Sequence, residues 1–283
     1  MDRARAQMFS SLKIGVFVVC GLLLASCNTA ETSSSDFVDD IKPPDVLYNQ
    51  ALANMDAGDL KEAAKRLTEL DQQHPYSEYS RKSLILSTFI NYREGKYVEA
   101  VGTGQRFIQL YPGHKDTAYA QYLIGMSYYR RMPHITRDQT VTGNAYNAMN
   151  TVVQNYPDSE YAEDAKTKMR ITLDQLAGKE MLVGRYYQER REFLAAINRF
   201  RKVVERMQTT RHVEEALARL TESYYSLGLV GEAQTAAAVL GHNFPESQWY
   251  KDSYALLRGA GLEPKENTRS WISKAGDKIE KTS

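Results

Sequence analysis

The sequence predicts an all-α fold, a superhelix of five helix-turn-helix repeats, and three observations carry that reading. The strings HPYSEY, YPGHKD, YPDSEY and FPESQW place Pro75, Pro112, Pro157 and Pro245 at one recurring position. Gly58, Gly95 and Gly228 each open a short turn and are followed five residues later by Ala63, Ala100 and Ala233. Both Pro75 to Pro112 and Gly58 to Gly95 span 37 residues, a period that suits one pair of helices per unit. Composition agrees: 42% hydrophobic and 25% charged residues are enough for a packed core and too apolar for disorder. Lys+Arg 36 against Asp+Glu 35 removes the basic excess that a nucleic-acid binder needs.

Arg3, Arg5 and Lys13 precede an uncharged apolar run from Ile14 to Ala25, 12 residues long. A helix needs about 20 such residues to span a bilayer, so residues 1–26 are expected to be a secretory signal peptide. The run ends Leu24-Ala25-Ser26-Cys27, which resembles the bacterial lipobox. The resemblance implies that Cys27 is diacylglyceryl-modified and begins the mature chain. Asn28, where Asp would retain a lipoprotein in the inner membrane, implies the periplasmic face of the outer membrane. Cys20 and Cys27 are the two cysteines, so the mature chain is expected to hold neither a disulfide nor a cysteine metal site. Residues 27–43 are polar and acidic and end toward Pro43-Pro44, which suits a flexible acylated tether.

The repeats follow from 44 to 255, closed by a capping helix. Between Pro112 and Pro157 the spacing grows to 45, an insertion of eight that falls in the stretch RMPHITRDQTVTGN. The fourth unit is weaker, with Arg191 in place of the turn glycine and Gln208 in place of the proline, yet Ala196 stands 37 residues before Ala233. Gly125 with Tyr128, and Gly184 with Tyr187, mark points of close helix approach, and Ala145 is the small facing residue in the third unit. Ser77, Asp116, Ser159 and Ser247 follow the loop prolines and are expected to cap the next helices. This order of small residue, Tyr, turn glycine, alanine, large apolar residue and proline resembles the tetratricopeptide (TPR) repeat. The resemblance implies a right-handed superhelix whose concave side is lined by the first helix of each unit. Residues 256–283 are expected to form a polar C-terminal tail.

No catalytic constellation emerges. His74, His114, His134, His212 and His242 lie mostly near loops between repeats, and none is at metal-ligand spacing from another. Gly102-Thr103-Gly104 follows no strand and sits in a helical pattern, so it is read as helix packing rather than a phosphate loop. The chain is therefore expected to be no enzyme, with no metal and no cofactor.

Binding remains. The groove positions of the first three units are Tyr48, Leu52 and Met55, then Ile85, Phe89 and Tyr92, then Tyr119, Tyr122, Met126 and Tyr129. Tyr48, Phe89, Tyr92, Tyr122 and Tyr129 are the expected peptide groove, suited to an extended segment with aromatic side chains. Lys82 is the one candidate for clamping a terminal carboxylate, which gives that mode no support. From Asn28 to Asp71 ten acidic residues face four basic ones, whereas Arg185 to Arg219 holds nine basic against five acidic. Such asymmetry sets the orientation of a partner more than its affinity.

A lipobox, a short tether, repeats beginning YNQALANMDAGDLKEAAKRLTELDQQHPYS and the stretch YYQERREFLAAINRF together resemble the BamD (ComL) family, lipoprotein subunits of the outer-membrane β-barrel assembly machinery. The likeness runs over roughly residues 27 to 255. It implies docking of the C-terminal repeats on BamA POTRA domains, alongside other Bam lipoproteins, and a role of the N-terminal repeats in receiving unfolded outer-membrane proteins. By the same resemblance Arg199, in the Asn-Arg pair, and Arg190, in the Glu-Arg pair, face BamA. The alternatives are another exported TPR adaptor, such as a Tol-Pal coordinator, and a TPR-decorated hydrolase. The first would carry heptads, which are absent, and the second needs a catalytic domain where only about 30 residues remain.

Overall fold

The computed structural model describes residues 41–280. The signal peptide, Cys27 and nearly all of the tether lie outside them. One compact unit begins at Pro43. Among the described residues it contains twelve α-helices and no strand.

Five helix pairs follow one another: α1 Pro44–Asp56 with α2 Leu60–Gln73, α3 Glu78–Arg93 with α4 Tyr97–Leu110, α5 Thr117–Arg130 with α6 Thr140–Asn155, α7 Ala162–Glu189 with α8 Phe193–Arg206, and α9 Val213–Ser226 with α10 Val230–Asn243. Then come α11 Gln248–Gly259 and α12 Trp271–Glu280. Every helix from α1 to α10 packs on its successor, and first helices also pack side by side, α1 on α3, α3 on α5, α5 on α7, and later α9 on α11. The repeat alanines Ala63, Ala100, Ala145, Ala196 and Ala233 are all fully buried, as the tight pairing of helices within each unit requires.

The turn within a unit is fixed by backbone chemistry. Gly58, Gly95 and Gly228 adopt φ of 79°, 76° and 73°, the left-handed conformation that ends a helix. The amide after each donates to the carbonyl five residues back, as from Asp59 to Asn54 and Lys96 to Asn91. The fourth unit keeps the same bond, Glu192 to Tyr187, with Arg191 itself at φ 62°. Arg191 thus takes the conformation that glycine takes without steric cost. At the other ends, Ser77 and Ser247 cap as expected, accepting from Ser80 and Trp249 amides. Asp116 makes no side-chain cap, and Ser159 donates to the Tyr156 carbonyl instead, because α7 starts three residues later.

Two insertions break the period. Residues 131–139 form a loop held on α7: the Gln175 amide donates to the Pro133 carbonyl (2.8 Å) and to Gln139 Oε1 (2.7 Å), and Lys179 donates to the Thr136 carbonyl (3.0 Å). The second insertion is α7, 28 residues long against 14 for α5. Its Ala165 joins the core of Met126, Met149 and Val152, whereas its Ala177 and Met181 join the large core that runs to Ile279. One uninterrupted helix therefore serves two successive cores.

The C-terminal stretch differs from a polar tail. Ile272, Ala275 and Ile279 recur at helical spacing and are buried, and α12 packs on α8 and α10. Gly276 lets it approach Val239, whose Cγ1 would stand 2.6 Å from an added Cβ. Gln208 donates to the Ala275 carbonyl (3.1 Å) and Ser270 to Glu232 (2.7 Å).

Candidate functional site

Tyr48, Phe89, Tyr92, Tyr122 and Tyr129 are all half-buried on the first helices of three successive units. Tyr48 and Phe89 rest against the core of Ala51, Ala63, Leu67 and Ile90; Tyr92, Tyr122 and Tyr129 rest against that of Met126, Met149 and Val152. Met126, also expected in the groove, is core instead at 7% exposure, since its unbranched chain reaches inward between α5 and α6. The rings extend into pairs: Tyr48 with Tyr79 (5.3 Å between centroids), Tyr92 with Tyr97 (5.9 Å), and Tyr161 with both Tyr119 and Tyr122 (5.1 Å each).

Cations stand over this ladder at every unit. Lys82 lies 5.6 Å from the Tyr48 centroid and 4.8 Å from that of Tyr79, Arg93 lies 5.6 Å from Phe89, and Lys168 lies 5.6 Å from Tyr129. Arg130 Nε donates to the Tyr92 hydroxyl (3.3 Å). Burial pushes the Tyr122 hydroxyl well above its ordinary pKa, and the Asp164 carboxylate that it donates to adds to the rise. Burial raises Tyr48 too, with Tyr79 as a lesser cause. These hydroxyls stay protonated, so the face offers ring area, O–H groups and positive charge.

The basic stretch of the fourth unit is mostly paired within the chain. Arg185 Nη1 donates to both carboxylate oxygens of Glu215 (2.8 and 2.9 Å), and Arg219 donates to Glu222 (2.8 Å). Arg199 Nη1 reaches Glu180 at 3.2 Å, sharing that carboxylate with Lys202. Arg190, at the α7 end, pairs with Glu192 (3.0 Å) and lies over the Tyr186 ring (5.5 Å). Arg190, Arg191, Tyr186 and Leu194 are exposed around the strained turn.

The family model described as YfiO, outer membrane lipoprotein, matches residues 40–240, the whole run of helices from α1 nearly to the end of α10. The chain belongs to the YfiO family of outer membrane lipoproteins. The outer membrane protein assembly factor BamD of Caulobacter vibrioides is 46% identical over 79% of this chain and 73% of that protein. BamD of Rickettsia prowazekii is 36% identical over 87% of this chain and 96% of that protein. These YfiO relatives are assembly factors, not enzymes. Among solved structures, PilW, a type IV pilus biogenesis factor, covers 74% of this chain at 14% identity with a TM-score of 0.21, too poor a superposition to argue from.

In this YfiO-family chain the five expected groove residues come onto one series of first helices, and Arg190 and Arg199 come to the α7–α8 pair. What sequence reading missed are the ring-bound cations. Tyr79 with Lys82 and Phe89 with Arg93 stand at helical spacings of three and four, a readable signal. Arg130 with Tyr92 and Lys168 with Tyr129 are 38 and 39 residues apart, and only packing brings them together.

Proposed function

We propose that this chain is an outer membrane protein assembly factor, anchored through acylated Cys27 at the periplasmic face of the outer membrane. Its C-terminal repeats dock a BamA-like POTRA domain through Arg190 and Arg199, with other Bam lipoproteins alongside. Its N-terminal repeats receive unfolded outer-membrane proteins along the aromatic face. The observation that carries the reading is the ladder of rings with a cation at each step from α1 to α7, in a chain 46% identical to a BamD over most of its length. Extended segments rich in alternating aromatic residues suit half-buried rings, and several weak contacts give exchangeable capture.

Two variants separate the tasks. Phe89→Ala with Tyr122→Ala is expected to reduce crosslinking of a C-terminal barrel peptide and to leave capture of the BamA-like barrel intact. Arg199→Glu is expected to do the reverse. Normal crosslinking by a folded double variant would remove the aromatic face from the proposal, and an unaffected pull-down with Arg199→Glu would move the docking face elsewhere.

A further inference from the structure

The C-terminal turn of α8 and one face of α12 from its first residue onward line an open cleft of about 480 Å³, formed by Glu205, Arg206, Trp271, Lys274, Ala275 and Lys278. Three of its walls are exposed cations, Arg206, Lys274 and Lys278. Lys274 and Lys278 stand four apart on α12, a spacing that places both on one face of the helix.

Among the described residues, two acids on the neighbouring helices are already engaged. Glu205 accepts from Arg201 at 2.8 Å, and Glu180 on α7 holds Lys202 and Arg199. Asp277 lines a different depression with Val239 and His242, on the α10 side of α12. Among the described residues, neither Arg206 nor Lys274 has an acidic partner within 4.0 Å.

Trp271 does not offer an apolar anchor. Arg201 covers its ring, 4.6 Å from the centroid, and the ring packs against the core that holds Tyr224 and Ile272. No exposed large apolar side chain lines the cleft. Stable protein docking is built around such an anchor, whereas a polybasic face with none suits a charged surface. Two of the three cations are lysines, mobile point charges that tolerate many phosphate orientations.

We propose that the α8–α12 cleft binds the phosphate headgroups of an anionic phospholipid surface, a second membrane contact in addition to the acyl anchor. Membership in a family of outer membrane lipoproteins places the chain beside such a surface. The contact would hold the last repeats against the bilayer.

Lysine acetylation rates, read by mass spectrometry on the full-length protein reconstituted in vesicles, test this. Lys274 and Lys278 are expected to label about fivefold more slowly in vesicles containing phosphatidylglycerol than in phosphatidylcholine alone, the effect of one basic residue near such a surface. Exposed Lys61 on α2 is the internal reference and should label equally in both. Arg206→Glu should abolish the protection with the thermal midpoint unchanged. Equal rates in the two lipids, or equal protection of Lys61, would overturn the proposal. Protection by soluble glycerol phosphate at matched concentration would make the site one for a free phosphate, and protection by polyglutamate with no lipid effect would make it a protein contact; either result overturns the membrane assignment.

Discussion

The hydroxyl of Tyr122 on α5 donates a 2.5 Å hydrogen bond to the carboxylate of Asp164 on α7, 42 residues away. The same carboxylate accepts from Lys168 at 3.0 Å, and that ammonium stands over the Tyr129 ring. One ionised group therefore ties two rings of the aromatic face to the next repeat.

Removing that hydroxyl gives the first prediction. Burial pushes the Asp164 carboxyl up, but the Tyr122 and Lys168 bonds outweigh it and hold its pKa below the usual value. A depressed folded pKa contributes stability that is present above the unfolded carboxylate pKa and lost as pH falls through the folded one. Tyr122→Phe should cost about 1 kcal/mol near neutral pH, the lower range because Asp164 is partly exposed. Urea melts should show that deficit shrinking as the pH falls below the carboxylate range.

The strained turn predicts a gain. Arg191 at φ 62° takes the place held by glycine in three other units, so Arg191→Gly relieves left-handed strain while adding freedom to the unfolded chain. The net expectation is about 0.5–1 kcal/mol of added stability, measured by chemical denaturation. If the exposed Arg191 side chain contacts the partner, pull-down of the BamA-like barrel should weaken in this more stable variant.

Two helical glycines should respond with opposite signs to alanine. A Cβ at Gly184 would collide with the ring of fully buried Phe200, so Gly184→Ala should destabilise by about 1–3 kcal/mol. Nothing lies within 4 Å of a Cβ at Gly102, contrary to a packing role for that residue, and Gly102→Ala should stabilise by up to about 1 kcal/mol. Thermal denaturation of both variants checks the pair.

On the proposed function, anchoring rests on Cys27. Among the described residues no helix is long and apolar enough to cross a membrane. Cys27→Ala should abolish acylation and shift the protein from the sedimenting outer-membrane fraction toward the soluble periplasm. Any fraction retained by anionic lipid alone should then be released by salt, since screening weakens surface charge contacts.

Local chemistry made much of this protein legible in the sequence. Pro75, Pro112, Pro157 and Pro245 report loops because proline cannot continue a helix, and Gly58, Gly95 and Gly228 report left-handed turns because glycine has no Cβ. The spacing of Tyr48, Phe89, Tyr92, Tyr122 and Tyr129 likewise placed them on first helices, since the 3.6-residue period is a local property. Tertiary packing decided the rest. Arg191 holds a glycine conformation because α7 and α8 must still turn between their shared core residues Met181 and Phe200. The apolar stripe of Ile272, Ala275 and Ile279 is short and surrounded by lysines, and it became a docked helix only where α8 and α10 present a complementary surface. Which basic residues are paired, Arg199 on Glu180 but, among the described residues, Arg206 on no acid, depended on which acids other helices bring within reach. Charge counted along the chain carries no record of those distances.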